Sequence, residues 1–217
     1  MPAREIVMSV PPAALAVINR LRAAGHESYF CGGCVRDALL GKKPADWDIA
    51  TAAPPEEVAR LFPKTVAVGK AFGVMIVVVD GGEIEVATFR RDLDYEDGRR
   101  PSSVAFADAS EDAQRRDFTI NALFYDPDAK RIIDFVDGLE DIRQRRLRTV
   151  GDPRRRFAED HLRLLRAVRF AAATGFALES ETRQAIGEMA DFVARVSAER
   201  TGEELTRMLI NGYSRSA

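Results

Sequence analysis

The sequence predicts an α+β protein: a mixed β-sheet flanked by helices over residues 1–140, followed by an all-helical segment over 141–217. Three observations carry this. Strand-like and helix-like runs alternate through the first two-thirds of the chain. Two β-branched runs, Val74–Val79 and Glu83–Phe89, meet at Asp80-Gly81-Gly82 and read as a hairpin. After Asp137-Gly138 the strand signals give way to helix starts.

The elements follow in order. Pro11-Pro12 opens a helix whose apolar positions continue through Leu15, Ile18 and Leu21 to a stop at Gly25. Ser28–Cys31 reads as a strand, Val35–Leu40 as a helix stopped by Gly41, Trp47–Ala50 as a short strand and Pro54–Phe62 as a helix. Residues 91–112 are polar with little periodicity and read as a long mobile loop. Strands return near Ala122–Tyr125 and Arg131–Asp134. Asp152-Pro153 opens one long helix to about Thr174, and further helices are expected at Ser180–Val193 and Thr201–Ile210, the last with a Thr201-x-x-Glu204 capping box. The closing residues NGYSRSA offer no clear element.

Bulk properties exclude several classes. The chain has 217 residues, is 46% hydrophobic and 30% charged, and has a formal net charge of −2, so no global basic field marks it for nucleic acid. The charge is nonetheless segregated: 143–169 holds ten arginines against Asp152, Glu159 and Asp160. Two cysteines and two histidines exclude a disulfide scaffold and argue against a four-ligand zinc site. No run reaches transmembrane length, and the uncharged stretch Val7–Ile18 is interrupted by Pro11-Pro12, so a cytoplasmic protein is expected, with no membrane partner.

The stretch Cys31-Gly32-Gly33-Cys34-Val35-Arg36-Asp37 carries two incompatible signals. C-x-x-C between a strand and a helix suits a thiol oxidoreductase. Gly-Gly at a helix start suits a backbone cradle for phosphates, with Arg36 beside it, although no P-loop and no G-x-G-x-x-G occurs. Asp46-Trp47-Asp48 puts two carboxylates on one face of a strand and Trp47 on the other. Such a pair calls for a positive counter-charge. Oxygen ligands at short spacing suit Mg²⁺, and two ions about 3.5–4 Å apart would activate an attacking oxygen and neutralise a leaving pyrophosphate. D-x-D alone is common and reads equally as an Asp pair in a turn. Glu85, opposite in direction to Ile84 and Val86, becomes a third ligand only if its strand adjoins that of Asp46 and Asp48.

Arg115-Arg116-Asp117-Phe118-Thr119-Ile120-Asn121-Ala122 gathers cation, carboxylate and amide: Arg116 for phosphate, Asp117 for a ribose hydroxyl. The plain alternative is a surface ion pair of little worth. In Glu159–Phe170, Asp160, Arg163 and Arg166 fall on the side opposite Leu164, Leu165 and Val168. A salt-bridged exposed face would look the same. An Asp160 acceptor beside an Arg163 donor also complements the pairing edge of C or A, and not that of G or U, which would let a pocket select CTP and ATP.

Taken together, these residues resemble the class II tRNA CCA-adding nucleotidyltransferases and the related bacterial poly(A) polymerases, which carry a polymerase-β-like head. GGCVRDALLG…DWDIAT is similar to the family's metal and triphosphate motif, RRDFTINA to its ribose motif, DFVDGLEDI to the head–neck hinge, EDHLRLLRAVRF to the base-reading helix and ERTGEEL to a structural neck motif. The resemblance implies a head domain over 1–140 and a neck over 141–217. It implies catalytic and metal-binding carboxylates at Asp46, Asp48 and, from EVATFR, Glu85. Nucleotide binding falls to Gly32, Gly33, Arg36, Arg116, Asp117 and Asn121, with base reading by Asp160 and Arg163, assisted by Arg166 and Arg169. Cys34 falls at a variable position of GGxVRD, which makes the C-x-x-C incidental.

The implied activity is template-independent, Mg²⁺-dependent transfer from CTP and ATP to the 3′ end of tRNA, with RNA and not DNA as partner. Poly(A) synthesis, or addition of only CC or only A, is the alternative within the family; outside it the alternatives are a thiol oxidoreductase using Cys31 and Cys34 and a non-catalytic nucleotide- or RNA-binding module. Members carry further helical domains that grip tRNA. These are expected to lie outside this sequence, with correspondingly weak tRNA binding by the chain.

Overall fold

The computed structural model describes residues 6–69, 72–80, 82–96 and 100–210. The expected turn residue Gly81 and the closing NGYSRSA lie outside them. The chain forms two compact units. The first is built on the chain through Asp92 with Ser103–Arg116 and Asn121–Val136. The second is built on Leu93–Ser102, Asp117–Ile120 and the chain from Asp137 onward.

In chain order the elements to residue 134 are α1 (Pro12–Ala23), β1 (Ser28–Cys31), α2 (Gly33–Leu39), β2 (Asp48–Thr51), α3 (Pro55–Leu61), β3 (Thr65–Gly69), β4 (Val74–Val79), β5 (Gly82–Thr88), β6 (Arg90–Glu96), β7 (Arg100–Phe106), α4 (Ala109–Gln114), β8 (Phe124–Asp126) and β9 (Arg131–Ile133). A seven-stranded mixed sheet runs β3-β4-β5-β2-β1-β8-β9. Its β2–β5 pair is parallel and its other neighbouring pairs are antiparallel. In α1, Ala14, Val17, Ile18 and Leu21 are buried, an i, i+3, i+4, i+7 stripe that supplies its packing face. The interior is aromatic: Phe89 meets Phe124 edge-on at 6.1 Å, and Phe30, Phe89 and Phe124 are fully buried.

Outside 97–99, which lie beyond the described residues, 91–112 is not the loop that its composition predicts. β6 and β7 pair as a separate two-stranded sheet, and α4 follows, capped by Asp108, which accepts from the Glu111 N–H at 2.8 Å. RRDLDYE carries no apolar alternation, and cross-strand bonding between backbones does not require one. The short strand β3 was also illegible: TVAVG is an edge strand of five residues.

The second unit contains α5 (Gly138–Arg143), β10 (Arg146–Leu147), α6 (Pro153–Glu159), α7 (Leu162–Thr174), β11 (Ala177–Leu178), α8 (Ser180–Met189), a 3₁₀ segment Ala190–Arg195 and α9 (Ala198–Ile210). Phe118, Ile120, Leu147 and Phe157 form its interior, with Phe118 edge-on to Phe170 at 5.7 Å. The single long helix expected from Asp152 is broken at Asp160, which is extended (φ −149°, ψ 107°). Its carboxylate accepts from the Leu162 N–H at 3.1 Å, a local bond that competes with the helical ladder and lets a new helix start. Thr201 does not cap α9. The helix begins at Ala198, and the Thr201 N–H already bonds the Ser197 carbonyl at 3.0 Å, so the T-x-x-E pattern lies inside the helix.

Candidate active site

Trp47 is 6% exposed and lies edge-on to Phe30 at 5.1 Å. With Trp47 held inward, the extended backbone turns Asp46 and Asp48 the other way, leaving Asp46 exposed and Asp48 half-buried. The parallel register aligns Ile49 with Val86, both buried, which sets Asp48 and Glu85 one step earlier on neighbouring strands and on the opposite face. The three carboxylates feel one another. Asp48 is pushed up to about 6, first by burial, then by Glu85 and Asp46, against the pull of Arg116. Glu85, whose tip reaches solvent, is also raised by partial desolvation, with Arg116 and Arg90 opposing and Asp46 adding to the rise.

This donor set suits a hard divalent cation: it is oxygen-only and its mutual repulsion is incompletely neutralised. The geometry is looser than the sequence predicts. Among the described residues no three carboxylate, imidazole or thiol groups gather closely enough to hold an ion as they stand. The acids are near enough to repel but not closed into a coordination shell.

Gly32 ends β1 with φ +73°, a backbone state that only glycine adopts without strain. A Cβ there would stand 3.1 Å from Nη1 of Arg116. Arg36, in α2, donates from Nη1 to Oδ1 of Asn121 at 2.6 Å and from Nε to Asp37 at 2.8 Å. Arg116, expected at phosphate, is engaged by the protein itself. Its side chain is 16% exposed, its Nε and Nη2 donate to Oδ2 of Asp112 at 3.1 and 2.9 Å, its Nη1 donates to the Asn121 carbonyl at 3.2 Å, and it lies over the Phe124 ring at 5.1 Å. It is an internal cation beside the acids. Asp112, which sequence reasoning left in the loop, is the residue that was missed. The available signal was its position three and four residues before Arg115 and Arg116.

Cys31 and Cys34 are free and buried, and burial drives both thiols up, Cys31 to about 11. Neither has the depressed acidity of a redox thiol.

In the second unit, Asp117 is buried and accepts on Oδ2 from Nε and Nη2 of Arg166 at 2.7 and 2.6 Å, and on Oδ1 from the Phe118 N–H at 2.8 Å. RRDFTINA therefore divides: Arg116 and Asn121 belong to the first unit, Asp117 to the second. Asp160 and Arg163 do not pair with each other. Asp160 is held by Arg200, whereas Arg163, 9% exposed, donates to Glu159 at 2.7 Å and to the Arg156 carbonyl at 2.9 Å. Arg169 donates from Nε to Glu204 at 2.5 Å, and its guanidinium lies 4.1 Å from the Phe170 ring centroid. The arginine-rich run is thus extensively ion-paired, to Glu140, Asp141 and Glu188 in its first part and to Glu159, Asp117 and Glu204 in its second, while Asp160 pairs with Arg200 outside the run; Arg200 and Glu204 are partners that spacing along one helix could not disclose.

A mixed sheet with a D-x-D at the start of one strand, a third acid on its parallel neighbour and a glycine turn ahead of a helix defines a polymerase-β-like nucleotidyltransferase head. Comparison with known proteins narrows this. Residues 28–148 match the poly A polymerase head domain, and residues 175–217 match the probable RNA and SrmB-binding site of polymerase A. The chain belongs to the class II CCA-adding and poly(A) polymerase family. The CCA-adding enzyme of Geobacillus sp. (strain WCH70) is 47% identical over 205 residues, covering 94% of this chain and 50% of that protein. The crystal structure of the Bacillus stearothermophilus CCA-adding enzyme in complex with CTP superposes with a TM-score of 0.84 at 45% identity, over 92% of this chain and 49% of that one. The Thermotoga maritima CCA-adding enzyme complexed with tRNA gives 0.74 at 28% identity, over 90% of this chain and 46% of that one. The chain spans about half the length of the curated relatives it matches. Family membership implies the use of divalent metal. No helix among the described residues is long and apolar enough to cross a membrane.

Proposed function

We propose that this protein is a template-independent RNA nucleotidyltransferase that moves nucleotides from CTP and ATP to the 3′ end of tRNA in the cytoplasm. The observation that carries the reading is the parallel pairing of β2 with β5, which brings Glu85 beside Asp48 and within the field of Asp46. Residues 1–140 act as the catalytic head and 141–217 as the neck. Asp46, Asp48 and Glu85 would hold Mg²⁺. When bound, a pair of such ions supplies activation of the RNA 3′-hydroxyl and neutralisation of charge on the transferring phosphate.

The protein's own side chains bind and orient. The Gly32-Gly33 turn with Arg36 and Asn121 receives the triphosphate, and Asp117 receives the ribose. Asp160 and Arg163, supported by Arg166 and Arg169, read the base, with Asp160 accepting from the exocyclic amine of C or A. The named substrates of the relatives, CTP and tRNA, support this reading.

The test is single-nucleotide incorporation on tRNAs ending before C, C or A. Asp46→Ala and Asp48→Ala should each lower incorporation by about a thousandfold or more while circular dichroism stays unchanged. Full activity in either variant removes the assignment. A second reading, poly(A) synthesis, is favoured by the match to the poly A polymerase head domain. It predicts long A tracts from ATP alone, whereas CCA addition predicts termination after one A and dependence on CTP.

A further inference from the structure

Asp112 anchors a hydrogen-bonded chain that ends at the glycine turn. Its side chain is 1% exposed. Oδ1 accepts from Nε and Nη2 of Arg115 at 2.9 and 2.7 Å and from the Arg90 N–H at 3.3 Å. Oδ2 accepts from Nε and Nη2 of Arg116 at 3.1 and 2.9 Å. A guanidinium is a rigid planar fork, so gripping one edge fixes where the remaining nitrogen points. Here that nitrogen, Nη1, meets the Asn121 carbonyl at 3.2 Å and stands 3.1 Å from the place a Cβ of Gly32 would take. Asn121 passes the connection on, its Oδ1 accepting from Arg36 at 2.6 Å.

We propose that Asp112 is a positioning residue for nucleotide binding: by holding Arg116 it sets the Gly32 turn and the Asn121–Arg36 pair that receive the triphosphate. The inference rests on the nucleotide-transfer reading above and assigns a role to a buried residue that acts through Arg116. Asp112 carries two arginines on one buried carboxylate, and loss of its charge leaves both guanidinium groups in search of other acceptors. Arg116 is the one whose movement reaches the turn.

Asp112→Asn preserves volume but sets an N–H donor against one of the two arginines. In the full chain, calorimetric titration with CTP and Mg²⁺ should show a Kd weakened about tenfold. The KM for CTP in incorporation should rise by a similar factor, with kcat changed less than about threefold, and Asp112→Asn combined with Arg116→Gln should be no worse than Arg116→Gln alone. A lowered thermal midpoint with CTP affinity unchanged means that Asp112 only stabilises the fold, and overturns the proposal. Should Asp112→Asn not fold, Arg116→Lys keeps the charge but loses the fork. It should raise KM likewise, and an unchanged KM overturns the proposal. A wild-type chain that neither binds CTP nor incorporates it removes the functional reading and this inference together. A wild-type chain that incorporates, beside an Asp112→Asn variant that binds CTP equally well, removes the inference alone.

Discussion

Asp160 is gripped by both terminal nitrogens of Arg200, Oδ1 accepting from Nη1 at 3.1 Å and Oδ2 from Nη2 at 2.8 Å, across 40 residues of sequence. A two-point ion pair fixes the plane of the carboxylate as well as its position. If Asp160 reads the base, Arg200 decides how it is presented. Arg200→Ala should therefore weaken discrimination of CTP and ATP against GTP and UTP by about tenfold, with a smaller effect on the rate with the correct nucleotide. Incorporation from each nucleotide alone, compared as kcat/KM, measures this, and unaltered discrimination would separate Arg200 from base selection.

Glu204 is 3% exposed and faces two cations, Arg169 Nε at 2.5 Å and Arg166 Nη1 at 3.8 Å. Removing one partner of a largely buried ion pair costs more than the pair itself contributes, because the other charge stays behind. Glu204→Ala should destabilise the protein by about 3 kcal/mol in urea unfolding, whereas the neighbouring exposed Glu203→Ala should stay within about 0.5 kcal/mol. Equal midpoints for the two variants would show that α9 is not held through this carboxylate.

Gly32 and Gly41 share a positive φ, +73° and +71°, but Gly32 combines it with ψ −129°, and Arg116 stands 3.1 Å from a Cβ at Gly32, while nothing lies within 4 Å of one at Gly41. Alanine at Gly41 should cost only the left-handed strain, about 1 kcal/mol. At Gly32 it should cost about 1–2 kcal/mol more, because φ +73° with ψ −129° lies outside the left-handed well and the guanidinium held by Asp112 cannot retreat without giving up its bonds. Urea unfolding of the two variants measures the difference, and equal costs would show that neither the backbone of Gly32 nor its neighbour Arg116 makes this position special.

With no cation bound, Asp48 titrates at about 6 against an ordinary 3.8. The folded chain then holds this proton more tightly than the unfolded chain, so the group favours folding as pH falls from about 6 towards 4 and disfavours it as pH rises through 6. A divalent cation binds the ionised form and must displace the proton. Cation affinity should be level above pH 7 and fall by roughly tenfold per pH unit below 6. Metal titrations at pH 5 and 7 measure it. Asp48→Asn should flatten the dependence, and a wild-type affinity equal at both pH values would exclude Asp48 from the site.

The strands and helices that were legible in the sequence were those whose side chains face a core. Ser28–Cys31 and Val74–Val79 are bounded as their composition predicts; of the spacing that predicts α1, Ile18 and Leu21 are buried and Leu15 half-buried, while Ala14 and Val17 complete the packed stripe. What escaped was structure made by the backbone or by polar side chains. The β6–β7 pair is charged and unpatterned, and the break at Asp160 is the work of one carboxylate bonding to the Leu162 N–H.

The same division runs through the site. By itself the sequence determined the chemical inventory: two aspartates two apart, a third acid on a strand, glycines before a helix, and an arginine-rich neck in the order that marks the family. Tertiary structure decided the partnerships. The parallel register set Glu85 beside Asp48, Asp112 took two nitrogens of Arg116, and Arg200 rather than Arg163 took Asp160. The physical reason is one of range. Helix and strand periodicity act between residues a few positions apart, whereas an ion pair forms between whichever charges the fold brings within about 3 Å, and chain separation does not enter Coulomb's law.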